Sequence, residues 1–289
     1  MAKRYDPKMA KLLGACCVLA YDQYENDGDF KVPAGYSVAG AFKAPDTPFR
    51  NLRWRFKSRI LKIIGFKLFT KAIVDAIDLF FRDVPFGFAL RSKDGSHNLI
   101  AFRGTQDLAD GLTDIDAFQV ELPPTWRARM PGTDKMLVHL GFLLLTLDLH
   151  KQVLAAVERL DKQVPLYVTG HSLGGALTVL ASLILRLHGF MDVRMYSFAS
   201  PRVGNPGFAD AYDQLVPESY RIVNLCDVVT EVPPSDIKGL KYKHVGKPWS
   251  FLNQSGDVLG NHGIDQPNNY IDAVNARIPT DKRRRFPSR

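Results

Sequence analysis

Gly170-His171-Ser172-Leu173-Gly174 stands between a short run of strand-forming residues, Pro165 to Thr169, and a helical run rich in small and apolar side chains, Gly175 to Ser182. Strand, sharp turn and helix in that order strain the central backbone and lift a serine hydroxyl clear of a sheet. A serine displayed this way attacks an ester-type carbonyl once a base takes its proton, so the implied chemistry is acyl transfer through a covalent intermediate. Gly170 and Gly174 are expected where a Cβ would collide with the neighbouring helix or strand. Glycine and serine are common, so the pentad alone is weak. Tyr167 and Val168 before it, and Ala176, Leu177, Val179 and Leu180 after it, supply the context that makes it specific.

The serine needs a base, and the base an orienting carboxylate. At an elbow of this type both come later in the chain, acid before base. Three histidines follow Ser172: His188, His244 and His262. His188 falls in the helix that starts at the elbow and points away from it. His244 lies in an extended segment. His262, in Gly260-Asn261-His262-Gly263, is read as a loop residue just before a final helix, where a base can reach across to the serine. Arg221 to Leu225 reads as a strand, and Asp227 follows its carboxyl end, where sites on parallel sheets lie. Asp227 is therefore the leading acid and Asp236 the runner-up. Asp257 and Asp265 flank His262 and read as solvated or capping residues.

Several ordered motifs carry a resemblance. Ile100-Ala101-Phe102-Arg103-Gly104-Thr105, Val138-His139-Leu140-Gly141-Phe142, the elbow, Phe198-Ala199-Ser200-Pro201-Arg202-Val203-Gly204-Asn205, Val223-Asn224 with Asp227 and Pro233-Pro234, and His262 with Tyr270 together span roughly 86–275. In this order the chain resembles the class 3 lipases, fungal-type triacylglycerol lipases of the α/β-hydrolase superfamily. The resemblance implies an α/β-hydrolase fold, with Ser172 as nucleophile, Asp227 as acid and His262 as base. It implies an oxyanion hole built from the backbone N–H groups of Thr105 and Leu173. Asp114 is placed like the carboxylate that holds the Thr105 hydroxyl, with Gly104 and His171 as supporting neighbours. No metal and no organic cofactor is required. Three departures stand out. Val228 follows the acid where the family often has Pro. The interval from His262 to Tyr270 is longer than usual. Gly111 stands where the family commonly has Trp, so residues 106–117 read as a short, acidic lid.

The elements needed to hold these residues are also legible. Residues 7–24 read as an amphipathic first helix, with Tyr21 and Tyr24 leading into a polar turn. Phe86–Arg91 and Asn98–Arg103 read as a hairpin around Asp94-Gly95. A long helix is expected over 139–162, a strand over 193–198, a helix over 207–215 and a strand over 219–225. Such alternation implies a mostly parallel central sheet flanked by helices. With no internal repeat or low-complexity linker, residues 1–289 are expected to form a single domain.

Composition suits one large α/β enzyme: 289 residues, 46% of them apolar. Basicity is concentrated in two places. Residues 43–71 hold nine Lys or Arg against Asp46, and residues 277–289 hold six against Asp281, so the remainder of a +8 chain is acidic. The first cluster lies in a basic helical segment, 48–82, that mixes cations with Trp54, Phe56, Ile60, Leu61, Ile63, Ile64 and Phe66. Such a segment either lies on an anionic lipid surface or roofs the acyl pocket with its cationic stems in water. The basic tail, 278–289, reads as a solvated terminus, and without a nucleic-acid-binding fold no nucleic-acid partner is expected. Cys16, Cys17 and Cys226 give no disulfide framework, and Cys226 reads as a small apolar residue at a strand end. Leu13-Gly14-Ala15-Cys16 is like a lipoprotein cleavage site, but the apolar run before it is too short for a secretory signal. No uninterrupted apolar run reaches membrane-spanning length. The expected location is cytoplasmic or peripheral to a membrane; oligomeric state is not legible. The leading function is hydrolysis of acylglycerol esters. A carboxylesterase or phospholipase A1-like esterase with the same triad is the alternative, and a non-catalytic lipase-like binding protein the third reading.

Overall fold

The computed structural model describes residues 5–45, 83–105 and 118–276. The segments 46–82, 106–117 and 277–289 lie outside the described residues, and with them the expected basic helix, the lid with Asp114, and the tail.

A seven-stranded sheet forms the centre, in the order β1-β2-β3-β6-β7-β8-β11. Its strands are β1 (Tyr36–Pro45), β2 (Asp83–Ser92), β3 (Asn98–Phe102), β6 (Leu166–His171), β7 (Val193–Phe198), β8 (Ser219–Asn224) and β11 (Lys247–Phe251). The first three are joined antiparallel, and the pairs from β3 to β11 are parallel. Two small ribbons complete the strands: β4 (Gln119–Glu121) with β5 (Leu137–His139), and β9 (Asp236–Ile237) with β10 (Leu240–Lys241).

The helices are α1 (Pro7–Glu25), α2 (Pro124–Arg127), α3 (Leu140–Val157), α4 (Leu173–Leu187), α5 (Pro206–Leu215), α6 (Val258–His262) and α7 (Tyr270–Ala276). They cover both faces because the strand residues alternate. Phe88, Leu90, Leu99 and Ala101 point to a core shared with α1 and α7. Ala89, Ile100, Phe102 and Val168 point to a core shared with α3, α4 and α5. Helix α3 is apolar and long enough to cross a membrane by composition. Here Phe142, Leu145, Leu149, Val153 and Ala156 of that helix are buried in the sheet core.

Three expected boundaries shift. The long helix ends at Val157 instead of 162, and its first expected residue, His139, caps it by accepting from the Phe142 N–H. His262 is the last residue of α6 rather than a loop residue; Asp257 caps that turn by accepting from the Gly260 N–H. Tyr21 and Tyr24 belong to α1 itself, which runs on to Glu25.

Candidate active site

Ser172 joins β6 to α4 with φ +59° and ψ −125°, a conformation that non-glycine residues rarely hold. Glycines on either side permit it. A Cβ on Gly170 would stand 2.3 Å from the Gly174 carbonyl oxygen, and one on Gly174 would stand 2.5 Å from the carbonyl oxygens of Phe102 and Arg103. The helix is thus pressed against the end of β3, and the nucleophile candidate sits beside the segment expected to bind the oxyanion. Gly104 is similarly constrained: its Cβ would meet Ser172 Cβ at 2.9 Å. Leu173 opens α4, and its first-turn amide, at the positive end of the helix, has no residue a turn earlier within the helix to accept from it. Thr105 closes the described part of the loop, half-buried. Asp114, its expected partner, is outside the described residues.

Asp227 lies just beyond β8 and opens a 3-10 turn, Val228–Glu231. Its buried carboxylate accepts three hydrogen bonds. Oδ1 takes the Val229 N–H at 2.9 Å, and Oδ2 takes His262 Nδ1–H at 2.8 Å and the Tyr270 hydroxyl at 2.6 Å. Burial and the Asp227 charge push the Tyr270 hydroxyl well above its ordinary pKa, so it stays a donor. A carboxylate cannot donate, so the proton of neutral His262 is on Nδ1. The buried Nε2 of His262 has no hydrogen-bond partner among the described residues. It is the nitrogen available as a proton acceptor, and among the described residues no hydrogen bond joins it to Ser172.

The long interval between His262 and Tyr270 is held by asparagines. Asn269 Nδ2 donates to the carbonyls of Gly260 and Gly263 at 2.8 and 2.9 Å, and Asn224 Nδ2 donates to Asn261 O at 2.9 Å. The extra residues therefore form a braced loop that delivers His262 to Asp227.

Other candidates fall elsewhere. Asp236 is exposed on β9 and pairs with Lys241. His188 caps α4 and bonds the Ile184 carbonyl. His244 donates Nε2–H to Thr230 O at 2.8 Å, and burial beside Arg221 and Arg202 drives its pKa down to about 3. Cys226 is half-buried and unoxidised, and its backbone N–H bonds Asn224 Oδ1.

His171 was an expected supporting residue, but its partners, and the part played by Arg103, Tyr21 and Tyr24, were not expected. His171 bridges Tyr21 and the His262 carbonyl, each at 2.9 Å. Arg103, fully buried, donates to Pro85 O and Gly104 O at 2.6 and 2.7 Å, with its guanidinium 4.1 Å from both the Tyr24 and Phe86 ring centres. The available signal was the run Cys17, Ala20, Tyr21 and Tyr24 at helical spacing on a buried face. The tyrosines' polar tips then require partners inside the protein.

The family described as Lipase (class 3) matches residues 99–237. The lipase of Rhizomucor miehei is 32% identical over 167 residues, covering 55% of this chain and 43% of that protein. A secreted mono- and diacylglycerol lipase 1 of Fusarium solani is 39% identical over 100 residues, covering 34% and 30%. The chain thus spans less than half the length of these relatives. Among solved structures, the Rhizomucor miehei triacylglyceride lipase superposes with a TM-score of 0.50 at 28% identity, over 57% of this chain and 60% of that one. Lipase II from Rhizopus niveus superposes with a TM-score of 0.61 over 84% and 79%, at 20% identity, a likeness of fold. The fold is that of the α/β-hydrolases.

Proposed function

We propose that this chain, whose residues 99–237 match the class 3 lipase family, is a serine hydrolase that cleaves the carboxylic esters of acylglycerols. The observation that carries this reading is the pairing of a strained, elbow-mounted Ser172 with a buried Asp227–His262 couple whose Nε2 is left open. In the proposed cycle His262 Nε2 takes the Ser172 proton as Oγ attacks the ester carbonyl. The resulting imidazolium donates Nδ1–H to Asp227, whose carboxylate stabilises it. The N–H groups of Thr105 and Leu173 receive the developing oxyanion, each worth roughly 2.7–4 kcal/mol by analogy with other serine hydrolases. Collapse breaks the ester bond, and His262 returns the proton to the leaving alcohol. Water, activated by the same nitrogen, then releases the acid. Asp114 would hold the Thr105 hydroxyl.

Lipid contact is the finer part of this reading. The chain leaves the sheet at Pro45 and re-enters at Asp83, which are register partners. They extend past the level at which Gly87 pairs with Phe102, the end of β3 that leads to Gly104 and Thr105. The basic, apolar-rich stretch 48–82 is therefore tethered at the catalytic edge, which favours peripheral contact with an anionic lipid surface.

Hydrolysis rates for esters from acetyl to stearoyl, below and above their solubility limits, test the proposal, with Ser172→Ala as the blank. The expected result is a rate that rises with acyl length and increases when an interface forms, and that falls at least about a thousandfold in the variant. Retained activity in Ser172→Ala would refute the mechanism. A maximum at short chains with ordinary saturation would assign a carboxylesterase instead.

A further inference from the structure

We propose that Tyr21 is a positioning residue. It holds His171 as the Nε2–H tautomer and so ties the first helix, the nucleophile elbow and the base segment into one hydrogen-bond chain, against which Gly104 packs.

The direction of that chain follows from its ends. The His262 carbonyl can only accept, so His171 Nε2, 2.9 Å away, carries a proton. Burial, reinforced by the neighbouring His262, pushes the His171 pKa well below 6.5, so the ring is neutral and its Nδ1 bears a lone pair. The Tyr21 hydroxyl, 2.9 Å from Nδ1, must therefore donate. The phenol oxygen is also packed against Gly104, where an added Cβ would meet it at 2.3 Å. The order is Tyr21 O–H to His171 Nδ1, then His171 Nε2–H to His262 C=O. Each bond joins segments that the chain keeps far apart: 150 positions separate Tyr21 from His171, and 91 separate His171 from His262.

Crowding leaves little slack. A Cβ on Gly104 would meet the Tyr21 hydroxyl at 2.3 Å and His171 O at 2.8 Å. The same residue's carbonyl is held by Arg103 at 2.7 Å, and Arg103 packs on Tyr24 one turn along α1. Gly104, the residue before Thr105, is thus confined by Tyr21 directly and by Tyr24 through Arg103. Without Tyr21 the ring can invert its tautomer, which would turn a lone pair towards the His262 carbonyl and push the base segment away. Oxyanion donors and a base must be placed to a fraction of an ångström, and an error near 1 Å costs about a hundredfold in rate.

This inference rests on the serine-hydrolase reading, but its main test needs no turnover. Imidazole ¹⁵N shifts of full-length protein report the His171 tautomer directly. The expected result is Nε2–H in the wild type and a mixture in Tyr21→Phe. On a dissolved ester, Tyr21→Phe should lower kcat by about tenfold to a hundredfold and leave KM within about twofold. Leu13→Ala removes packing from the same helix away from the chain of bonds; it should lower the unfolding midpoint, keep the tautomer, and keep kcat within about twofold. An Nδ1–H tautomer in the wild type would overturn the proposal whether or not the variant folds. So would an unchanged tautomer in Tyr21→Phe, or a kcat loss reproduced by Leu13→Ala. Failure of Ser172→Ala to lose activity would instead strike at the hydrolase reading and leave the tautomer result standing.

Discussion

A buried carboxylate is tolerated only when donors surround it, and Asp227 has three. Removing one exposes the cost. Tyr270→Phe keeps the ring and leaves Oδ2 with His262 alone, so it should lower stability by about 1–3 kcal/mol. It should also lower kcat, because the carboxylate that orients His262 loses a restraint. Urea unfolding beside single-turnover kinetics would check both, and an unaltered midpoint would show that the hydroxyl carries no load. His244 gives a second residue-level expectation. Folding depresses its pKa from 6.5 to about 3, so between those values the unfolded chain binds a proton that the folded chain refuses. The stability it contributes is complete above 6.5 and is lost as pH falls towards 3. His244→Gln, which retains a donor for Thr230 O, should flatten the fall in urea midpoint between pH 6.5 and 4. Parallel wild-type and variant curves would contradict this. At this scale the sequence was informative about Ser172, Asp227 and His262, because motif and chain order single them out. It was silent on Tyr21 and on what the Tyr270 hydroxyl does. Their partners lie 150 and 43 positions away, and only the folded sheet brings them together.

Elements position the site through backbone contact more than through side chains. The first turn of α4 lies against the carbonyls of Phe102 and Arg103, and nothing larger than glycine fits at position 174. Gly174→Ala must therefore push α4 away from the strand that leads into the proposed oxyanion loop, at a cost of about 1–3 kcal/mol. A fall in melting temperature accompanied by loss of acyl-enzyme formation is expected; an unchanged melting temperature would mean that the contact relaxes freely. The alternation of strands and helices from Asn98 to Asn224 could be read in advance because buried parallel strands are short apolar runs bounded by turns. Strand β1 could not. Register shifts between Val38 and Gly40 and between Phe42 and Lys43 interrupt its alternation, so no clean two-residue period survives. Gly40 in that strand is where α3 closes in, since a Cβ there would meet Ala156 Cβ at 2.5 Å. Strand β11 begins Lys247-Pro248 and is largely polar at its start, and it becomes a strand by pairing with β8. The end of the long helix at Val157 was obscured because helix-compatible residues continue past it, and boundaries are the weakest part of such reasoning.

At the scale of the molecule, exposed apolar side chains gather at one edge among the described residues. Leu225 (65% exposed), Val228, Leu252 (73% exposed) and Leu259 (66% exposed) stand out among the exposed large apolar residues. They follow the carboxyl ends of β8 and β11 or precede His262 in α6, so they border the Asp227–His262 pair. Pro45 and Asp83, between which the basic stretch is inserted, project beyond the same end of the sheet. Under the proposed function these apolar tips would meet a lipid surface, and the cations in the sequence of 48–82 would add attraction to anionic headgroups. These two contributions separate experimentally. Binding to phosphatidylcholine vesicles should strengthen when phosphatidylserine is added. That increment should vanish as salt rises from about 0.1 M to about 1 M, where the screening length shrinks from about 10 Å to about 3 Å. Leu252→Asp with Leu259→Asp should weaken binding to both vesicle types and slow hydrolysis of an emulsion, with little effect on a dissolved short-chain ester. Equal binding to neutral and anionic vesicles would remove the electrostatic part. An emulsion rate untouched by the paired aspartates would remove the apolar part, and the exposed leucines would then have to be explained by something other than a lipid interface.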